Sequence, residues 1–182
     1  MKDIIVVQDI LPLDSPKRVG KMVKPSYITI HETETGLEIT DEKLNYKWYR
    51  TILDDYSSTI GYHFLVEANN NEPSRIYQFL ETNVYTHHTG NAIGNQQSIG
   101  IERIVNKNTD MIRAIDTQAF LTAILMKKFD IPIENVLPHK YWNNKDCPSR
   151  LLAGLYCDWD SFINKVKEFY SKDIDLDGIK YK

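Results

Sequence analysis

The segment LPHKYWNNKDCPSR, residues 137–150, places a histidine, a lysine and a cysteine close together in the chain. Zinc is bound by imidazole and thiolate, and a catalytic zinc ion keeps three protein ligands and one open position. The stretch between His139 and Cys147 is long enough to curl and bring both groups to one ion. His31, which ends a strand-like segment, is the candidate for the third ligand. The alternative is a buried turn with incidental polar groups and a histidine bonded to the backbone.

Two charged residues extend this set. Glu102 lies in the strand-like segment SIGIERIV, and alternation puts its side chain on the same face as Gly100, where a substrate has room. Lys145 precedes Cys147 by two residues, so its ammonium group can reach an oxyanion at a metal ion. The alternatives are a surface glutamate paired with Arg103 or a nearby lysine, and a solvated loop lysine.

The elements that must position these residues alternate between strands and helices. Alternating, β-branched segments predict strands, apolar residues at helical spacing predict helices, and Asp116 and Asp158 are predicted helix caps. The order predicts an α/β fold, a single domain with a central mixed β-sheet flanked by helices. The predicted strands are residues 26–33, 61–68, 75–80 and 98–105, the helices are 41–55, 116–129 and 158–170, the hairpin turn is 69–74, and a long polar loop spans 81–97.

Bulk composition limits the classes of function. The chain has 182 residues, 42% hydrophobic and 26% charged, with a net charge of −3, which is typical of one globular domain. It lacks the basic stripe of a nucleic-acid-binding protein and any apolar run near the roughly 20 residues of a membrane span. The first residues do not resemble a signal peptide. We therefore expect a reducing compartment of synthesis, with Cys147 and Cys157 as free thiols, although a disulfide between them is possible in principle.

The last residues differ in character from the rest. Residues 1–170 are predicted to form the folded domain, and residues 171–182 a linker or tail. The segment DIDLDG, residues 173–178, resembles the start of an EF-hand loop, but the glutamate at its twelfth position would lie beyond the last residue. A polar tail of this kind suits a longer parent protein with a second, C-terminal module.

Four stretches occur in an order that resembles a known family. They are KPSYITIHET, GYHFLVE with RIYQFLE, HHTGNAIGNQQSIGIE, and LPHKYWNNKDCPSRLL, and they span about residues 24–152. Together they are similar to the zinc-dependent N-acetylmuramoyl-L-alanine amidases of phage endolysins, which share a fold with peptidoglycan recognition proteins. The resemblance implies that fold, a peptidoglycan substrate, and an enzyme that accumulates in the host cytoplasm and acts on the cell wall after release. We expect a monomeric catalytic domain.

The resemblance also implies roles for individual residues. It implies zinc ligands at His31, His139 and Cys147, and catalytic roles for Glu102 and Lys145. Tyr62, in GYHF, matches a tyrosine that serves catalysis in other members, and His88, in the sequence HTG, matches a histidine near the substrate pocket. Glu32 departs from the pattern, since a neutral residue is expected more often after the first histidine. Strand alternation predicts that the Glu32 side chain points away from His31.

Two other classes of protein remain possible from the sequence. Some relatives with this fold lack the cysteine ligand and bind peptidoglycan without cutting it, whereas this chain has the cysteine. A cysteine hydrolase with Cys147 as nucleophile and His139 as base is the second alternative. It is disfavoured because familiar cysteine peptidases place the nucleophile before the histidine, and because Pro148 removes a backbone N–H that could bind an oxyanion.

Overall fold

The computed structural model describes residues 4–33, 43–70, 72–172 and 180–181. Within these ranges the chain forms nine strands and six α-helices, with a short 3₁₀ turn at Ile133–Asn135 before the eighth strand. The strands are β1 Ile4–Gln8, β2 Gly20–Lys21, β3 Tyr27–Ile30, β4 Phe64–Glu67, β5 Ser74–Gln78, β6 Val84–Tyr85, β7 Ser98–Arg103, β8 Val136–Pro138 and β9 Lys180–Tyr181. The helices are α1 Tyr46–Leu53, α2 Ala92–Gln97, α3 Met111–Phe129, α4 Lys140–Asn143, α5 Ser149–Leu152 and α6 Trp159–Ser171.

Seven of these strands form one mixed sheet in the order β8-β3-β7-β4-β5-β1-β9. Strands β8, β3, β7 and β4 run parallel, whereas β4 and β5 form the antiparallel hairpin that the sequence predicts. Strands β2 and β6 form a separate two-stranded antiparallel ribbon. The predicted α/β fold with a central mixed sheet is thus confirmed.

Helices cover both faces of the sheet. Helices α3 and α6 pack on one face, where Ile28, Ile99 and Ile101 belong to the larger apolar core. On the other face, Tyr49 and Leu53 of α1 pack in a second core around the β4–β5 hairpin. Because apolar and polar residues alternate along β3 and β7, one face of the sheet is buried and apolar, and the other face presents polar side chains.

Two predicted helix starts are wrong, because α1 begins at Tyr46 and not at residue 41, and α3 does not begin at Asp116. Helix α3 begins at Met111 and is capped by Asp110, whose side chain accepts a hydrogen bond from the Arg113 backbone N–H. Asp116 lies inside this helix and instead binds Lys165 of α6, with 2.7 Å between the charged atoms. Asp158 caps α6 as predicted.

The segment predicted as a long polar loop, residues 81–97, contains β6 and α2. Asn91 caps α2 by accepting hydrogen bonds from the backbone N–H groups of Ile93 and Gly94. The EF-hand-like stretch 173–178 lies outside the described residues. No helix in the described part of the chain is long and apolar enough to cross a membrane.

Candidate metal centre and active site

The site lies where the parallel strands end. His31 follows β3 directly, His139 follows β8 directly, and Glu102 is the next-to-last residue of β7. The backbone N–H of His31 donates to Ile101 O at 2.9 Å, and that of His139 donates to Ile30 O at 3.2 Å. The backbone hydrogen bonds between the parallel strands therefore extend to His31 and His139. Because carboxyl ends of parallel strands meet at one edge, three side chains from distant parts of the sequence converge there.

Cys147 reaches the same place through a compact turn. After α4, the backbone of the segment closes on itself, because the Lys140 N–H donates to Cys147 O at 3.0 Å. The indole Nε1 of Trp142 donates to Thr29 Oγ1 at 2.9 Å and fastens the turn to β3. Residues 139–147 therefore curl as predicted and present both of their potential ligands to one point.

The three predicted ligands form one buried cluster. His31, His139 and Cys147 are 1%, 6% and 2% exposed. Each offers one ligand atom, and these atoms all lie within 4.8 Å of one another. Burial lowers the pKa of His139 to about 4, and the charge of Lys145 contributes, so this imidazole is neutral at physiological pH as a ligand must be.

The orientation of the His31 ring follows from a chain of hydrogen bonds. The carbonyl of Ser98 can only accept, so His88 Nε2, which lies 3.2 Å away, donates to it. A neutral His88 then has an acceptor at Nδ1, and His31 Nε2 donates to it across 3.0 Å. Burial holds the pKa of both histidines well below the ordinary value, which keeps both rings neutral. The lone pair of His31 is thereby left on Nδ1.

These features fit a metal ion. Neither ring nitrogen of His139 has a hydrogen-bond partner among the described residues, although the ring is buried. A buried polar atom without a hydrogen-bond partner costs free energy unless it binds an ion or a ligand. Two neutral imidazoles and one sulfur are the ligand types that zinc prefers, and three of them leave one position open.

The predicted catalytic side chains surround the cluster. Glu102 Oε1 lies 3.8 Å from His31 Nδ1, and Glu102, Tyr62 and Lys145 all line a groove of about 720 Å³ together with His31 and His139. The Tyr62 hydroxyl has no hydrogen-bond partner within the described ranges, and burial, with the charge of Glu102, raises the Tyr62 pKa well above 10. It is therefore a protonated donor beside the carboxylate.

His88 and two residues near the site, His63 and Arg103, lie as follows. His88 lines the groove but is only 8% exposed, with both ring nitrogens bonded to protein groups. Its predicted contact with substrate stays a prediction. His63 is buried, donates to Val84 O and accepts from the Gly100 N–H, as expected of a structural histidine. Arg103 does not pair with Glu102, because its side chain is fully buried on the opposite face of β7.

The sequence also leaves several groove residues unassigned. Tyr49 and Ile52 of α1 and Ile60 line one part of the groove, and Tyr85 and Asn143 line others. The helical pattern of α1 indicates an amphipathic helix but not that its apolar face borders a substrate groove. Asn91, Asn95 and Gln96, from the segment predicted as a polar loop, also line the groove.

The fold and the site agree with those of an amidase family. The model of the N-acetylmuramoyl-L-alanine amidase family matches residues 21–150, and the chain belongs to this family. Two curated Bacillus subtilis (strain 168) proteins are similar to it, the N-acetylmuramoyl-L-alanine amidases CwlH and XlyA. CwlH is 32% identical over 90% of this chain and 61% of its own length. XlyA is 35% identical over 86% of this chain and 49% of its own length, so this chain spans about half to three-fifths of these relatives.

Solved structures agree with this assignment. A mutant endolysin from Bacillus subtilis superimposes with a TM-score of 0.77 at 33% identity, covering 90% of this chain and 99% of the other. The catalytic domain of XlyA superimposes with a TM-score of 0.75 at 34% identity, covering 88% of this chain and 98% of the other. These matches confirm the predicted amidase fold.

Proposed function

We propose that this chain is a zinc-dependent N-acetylmuramoyl-L-alanine amidase that hydrolyses the amide bond between N-acetylmuramic acid and L-alanine in peptidoglycan. The observation that carries the proposal is the buried cluster of His31, His139 and Cys147 beside a carboxylate in an open groove. A bound zinc ion would polarise the attacking water and the substrate carbonyl. Family membership supports the same reaction.

The protein side chains have distinct roles in this proposal. Glu102 accepts a proton from the attacking water as general base and returns it to the departing alanine nitrogen. The ammonium group of Lys145 stabilises the negative charge that develops on the carbonyl oxygen. The Tyr62 hydroxyl, which is protonated and has an unused donor, adds a hydrogen bond to that oxygen. His88 borders the groove, where we propose that it also contacts substrate.

The cysteine-hydrolase alternative is disfavoured by the surroundings of the thiol. Burial and the charge of Glu102 raise the pKa of Cys147 to about 12 in the metal-free protein. A thiol with this pKa supplies almost no thiolate at neutral pH, and the thiolate is the nucleophile. An alkylating reagent distinguishes the two functions, because a thiol bound to zinc reacts only after the metal is removed.

We further propose that the chain acts on the bacterial cell wall as the catalytic domain of a phage or prophage endolysin. In this proposal residues 1–170 form the catalytic domain, β9 extends its sheet by pairing with β1, and a wall-binding module belongs to the same protein. The greater length of CwlH and XlyA supports it.

The test is mass spectrometry of fragments released from purified sacculi, with and without a zinc chelator. Stem peptides that begin with alanine, and disappear on chelation, are the expected result. New reducing sugar ends would instead indicate a glycosidase. Binding to sacculi without release of fragments would indicate a recognition module.

A further inference from the structure

A buried carboxylate lies immediately behind the metal centre. Glu32 follows the ligand His31 and is 3% exposed. Its Oε2 accepts a hydrogen bond from Arg103 Nη2 at 2.6 Å. Its Oε1 accepts from Ser149 Oγ at 2.6 Å, from the Arg150 backbone N–H at 3.0 Å, and from Arg150 Nη1 at 3.2 Å. One carboxylate thus joins three separate segments of the chain.

Each of these segments carries a site residue. In strands, neighbouring side chains point to opposite faces, so the partners of Glu32 lie behind the sheet while the site residues lie in front. Each residue of the Glu32 network is close in sequence to one site residue: Glu32 follows His31, Arg103 follows Glu102, and Ser149 lies two residues after Cys147. The contacts of Glu32 therefore fix, from behind, the relative positions of two metal ligands and the proposed general base.

Helix α3 extends the same network to the backbone of the first ligand. Arg103 Nη1 donates to Gln118 Oε1 at 3.0 Å. Gln118 Nε2 then donates to His31 O at 2.9 Å and to Ile101 O at 3.0 Å. The position of His31 at the end of β3 is thus tied to Glu32 both through the chain and through the guanidinium of Arg103.

Fold stability alone is a poor explanation for this cluster. Both arginines are at most 1% exposed, and one carboxylate faces two guanidinium groups. Removing charges from water is costly, and buried ion pairs often contribute no more stability than apolar residues of the same size. Their better attested use is to select one arrangement of the surrounding elements.

We propose that Glu32 is a positioning residue whose buried contacts with Arg103, Ser149 and Arg150 hold His31, Glu102 and Cys147 in the geometry that binds the metal. The inference rests on the proposed function only in that the site binds zinc. It concerns residues that do not touch the metal, and it predicts a loss of metal affinity in addition to any loss of stability.

The test compares two glutamates of the same sheet. Glu32→Gln keeps the size of the side chain but turns one acceptor oxygen into an NH₂ donor, which must face either Arg103 or the Ser149–Arg150 pair. The control is Glu67→Gln on β4. Glu67 is 5% exposed and accepts from the Tyr46 N–H and the Tyr77 hydroxyl, and within the described ranges these partners lie outside the segments that carry His31, His139 and Cys147.

Zinc affinity is measured by competition with a chromophoric chelator, and ligand geometry by the absorption spectrum of the Co²⁺-substituted protein. We expect Glu32→Gln to bind zinc about 10 to 100 times more weakly, the usual effect of altering groups that orient metal ligands. We also expect the thiolate-to-cobalt band to shift or weaken, and kcat to fall at saturating zinc with KM little changed. Glu67→Gln should lower only the free energy of unfolding.

A milder variant covers the case in which Glu32→Gln fails to fold. Ser149→Ala removes one hydrogen bond to the carboxylate, and we expect zinc to bind several-fold more weakly in the folded protein. Wild-type affinity and a wild-type cobalt spectrum in the folded Glu32→Gln protein, or in Ser149→Ala if that protein alone folds, would overturn this proposal and leave the proposed function intact. A wild-type protein that binds neither zinc nor cobalt would overturn both.

Discussion

Replacing His88 by phenylalanine tests the hydrogen-bond chain that orients His31. The phenyl ring keeps the aromatic shape above Gly100, where the two residues are in such close contact that an added Cβ on Gly100 would lie 2.8 Å from His88 Nδ1. The substitution removes the acceptor for His31 Nε2 and the donor to Ser98 O. These two losses have different consequences.

The loss at His31 should act mainly on metal binding. Without metal, the neutral His31 ring can move its proton to Nδ1, where the negative charge of Glu102 Oε1, 3.8 Å away, favours it. With metal on Nδ1, the proton must stay on Nε2 and has no acceptor. An unsatisfied buried donor costs about 1–3 kcal/mol, which corresponds to zinc affinity weaker by about 5- to 150-fold. The unpaired Ser98 carbonyl destabilises both states equally.

His63→Phe is the matched control. His63 is fully buried and also uses both ring nitrogens, but its partners are Val84 O and the Gly100 N–H. Both variants should lower the free energy of unfolding of the metal-free protein, measured in urea. Only His88→Phe should weaken zinc binding in a chelator competition. Zinc affinity within twofold of the parent protein in His88→Phe would refute the hydrogen-bond argument.

Four further outcomes follow from the site. Glu102→Gln should keep zinc affinity but lower kcat by about 10²- to 10⁴-fold, and retained turnover in the fragment-release assay would exclude the general-base role. Tyr62→Phe should lower kcat on the order of 10²-fold with unchanged metal content, since it removes one donor to the oxyanion. Cys147→Ser should weaken zinc strongly, and equal metal content by atomic absorption would contradict the ligand set. The metal-free protein should lose stability as pH falls from about 6.5 toward 4, because burial lowers the pKa of His63 and His139 to about 4, so the unfolded chain binds more protons in that range. Urea unfolding at pH 7.5 and 5.5 measures this loss, which should shrink in a His63→Gln variant.

The positions of Glu102 and of the last helix could be predicted because local patterns determine them. In β7 the residues Ile99 and Ile101 belong to the apolar core, whereas Glu102 emerges at the groove, as alternation requires. In α6 the cap at Asp158 and the apolar spacing agree, so the start of the helix is unambiguous.

Other features depend on contacts that no local pattern contains. Strand β1 pairs in parallel with β5, about seventy positions later in the chain, and its short apolar run carries no sign of this partner. Helix α2 has six residues, too few for a helical period to be visible. The sequence does not locate the start of α3, because Asp110 and Asp116 both suit a cap, and tertiary packing of the first helical turn decides between them.

The contacts of Glu32 also could not be predicted from local sequence patterns. Alternation correctly predicts that its side chain points away from His31, but the arginines that receive it are 71 and 118 positions away. The hydrogen bond of His88 with His31 could not be predicted for the same reason, since 57 positions separate the two residues.

The buried pairing of Glu32 with Arg103 and Arg150 restricts how this sequence can change. Replacing Glu32 alone would remove the carboxylate from two buried guanidinium groups, at a cost of about 3–5 kcal/mol, whereas replacing Arg103 alone leaves Glu32 paired with Arg150. Homologous chains that lack a carboxylate at this position should therefore also lack the two arginine charges. An alignment of the family should show the three positions becoming neutral together, and a relative that keeps both arginines beside an asparagine or glutamine in place of Glu32 would contradict this expectation.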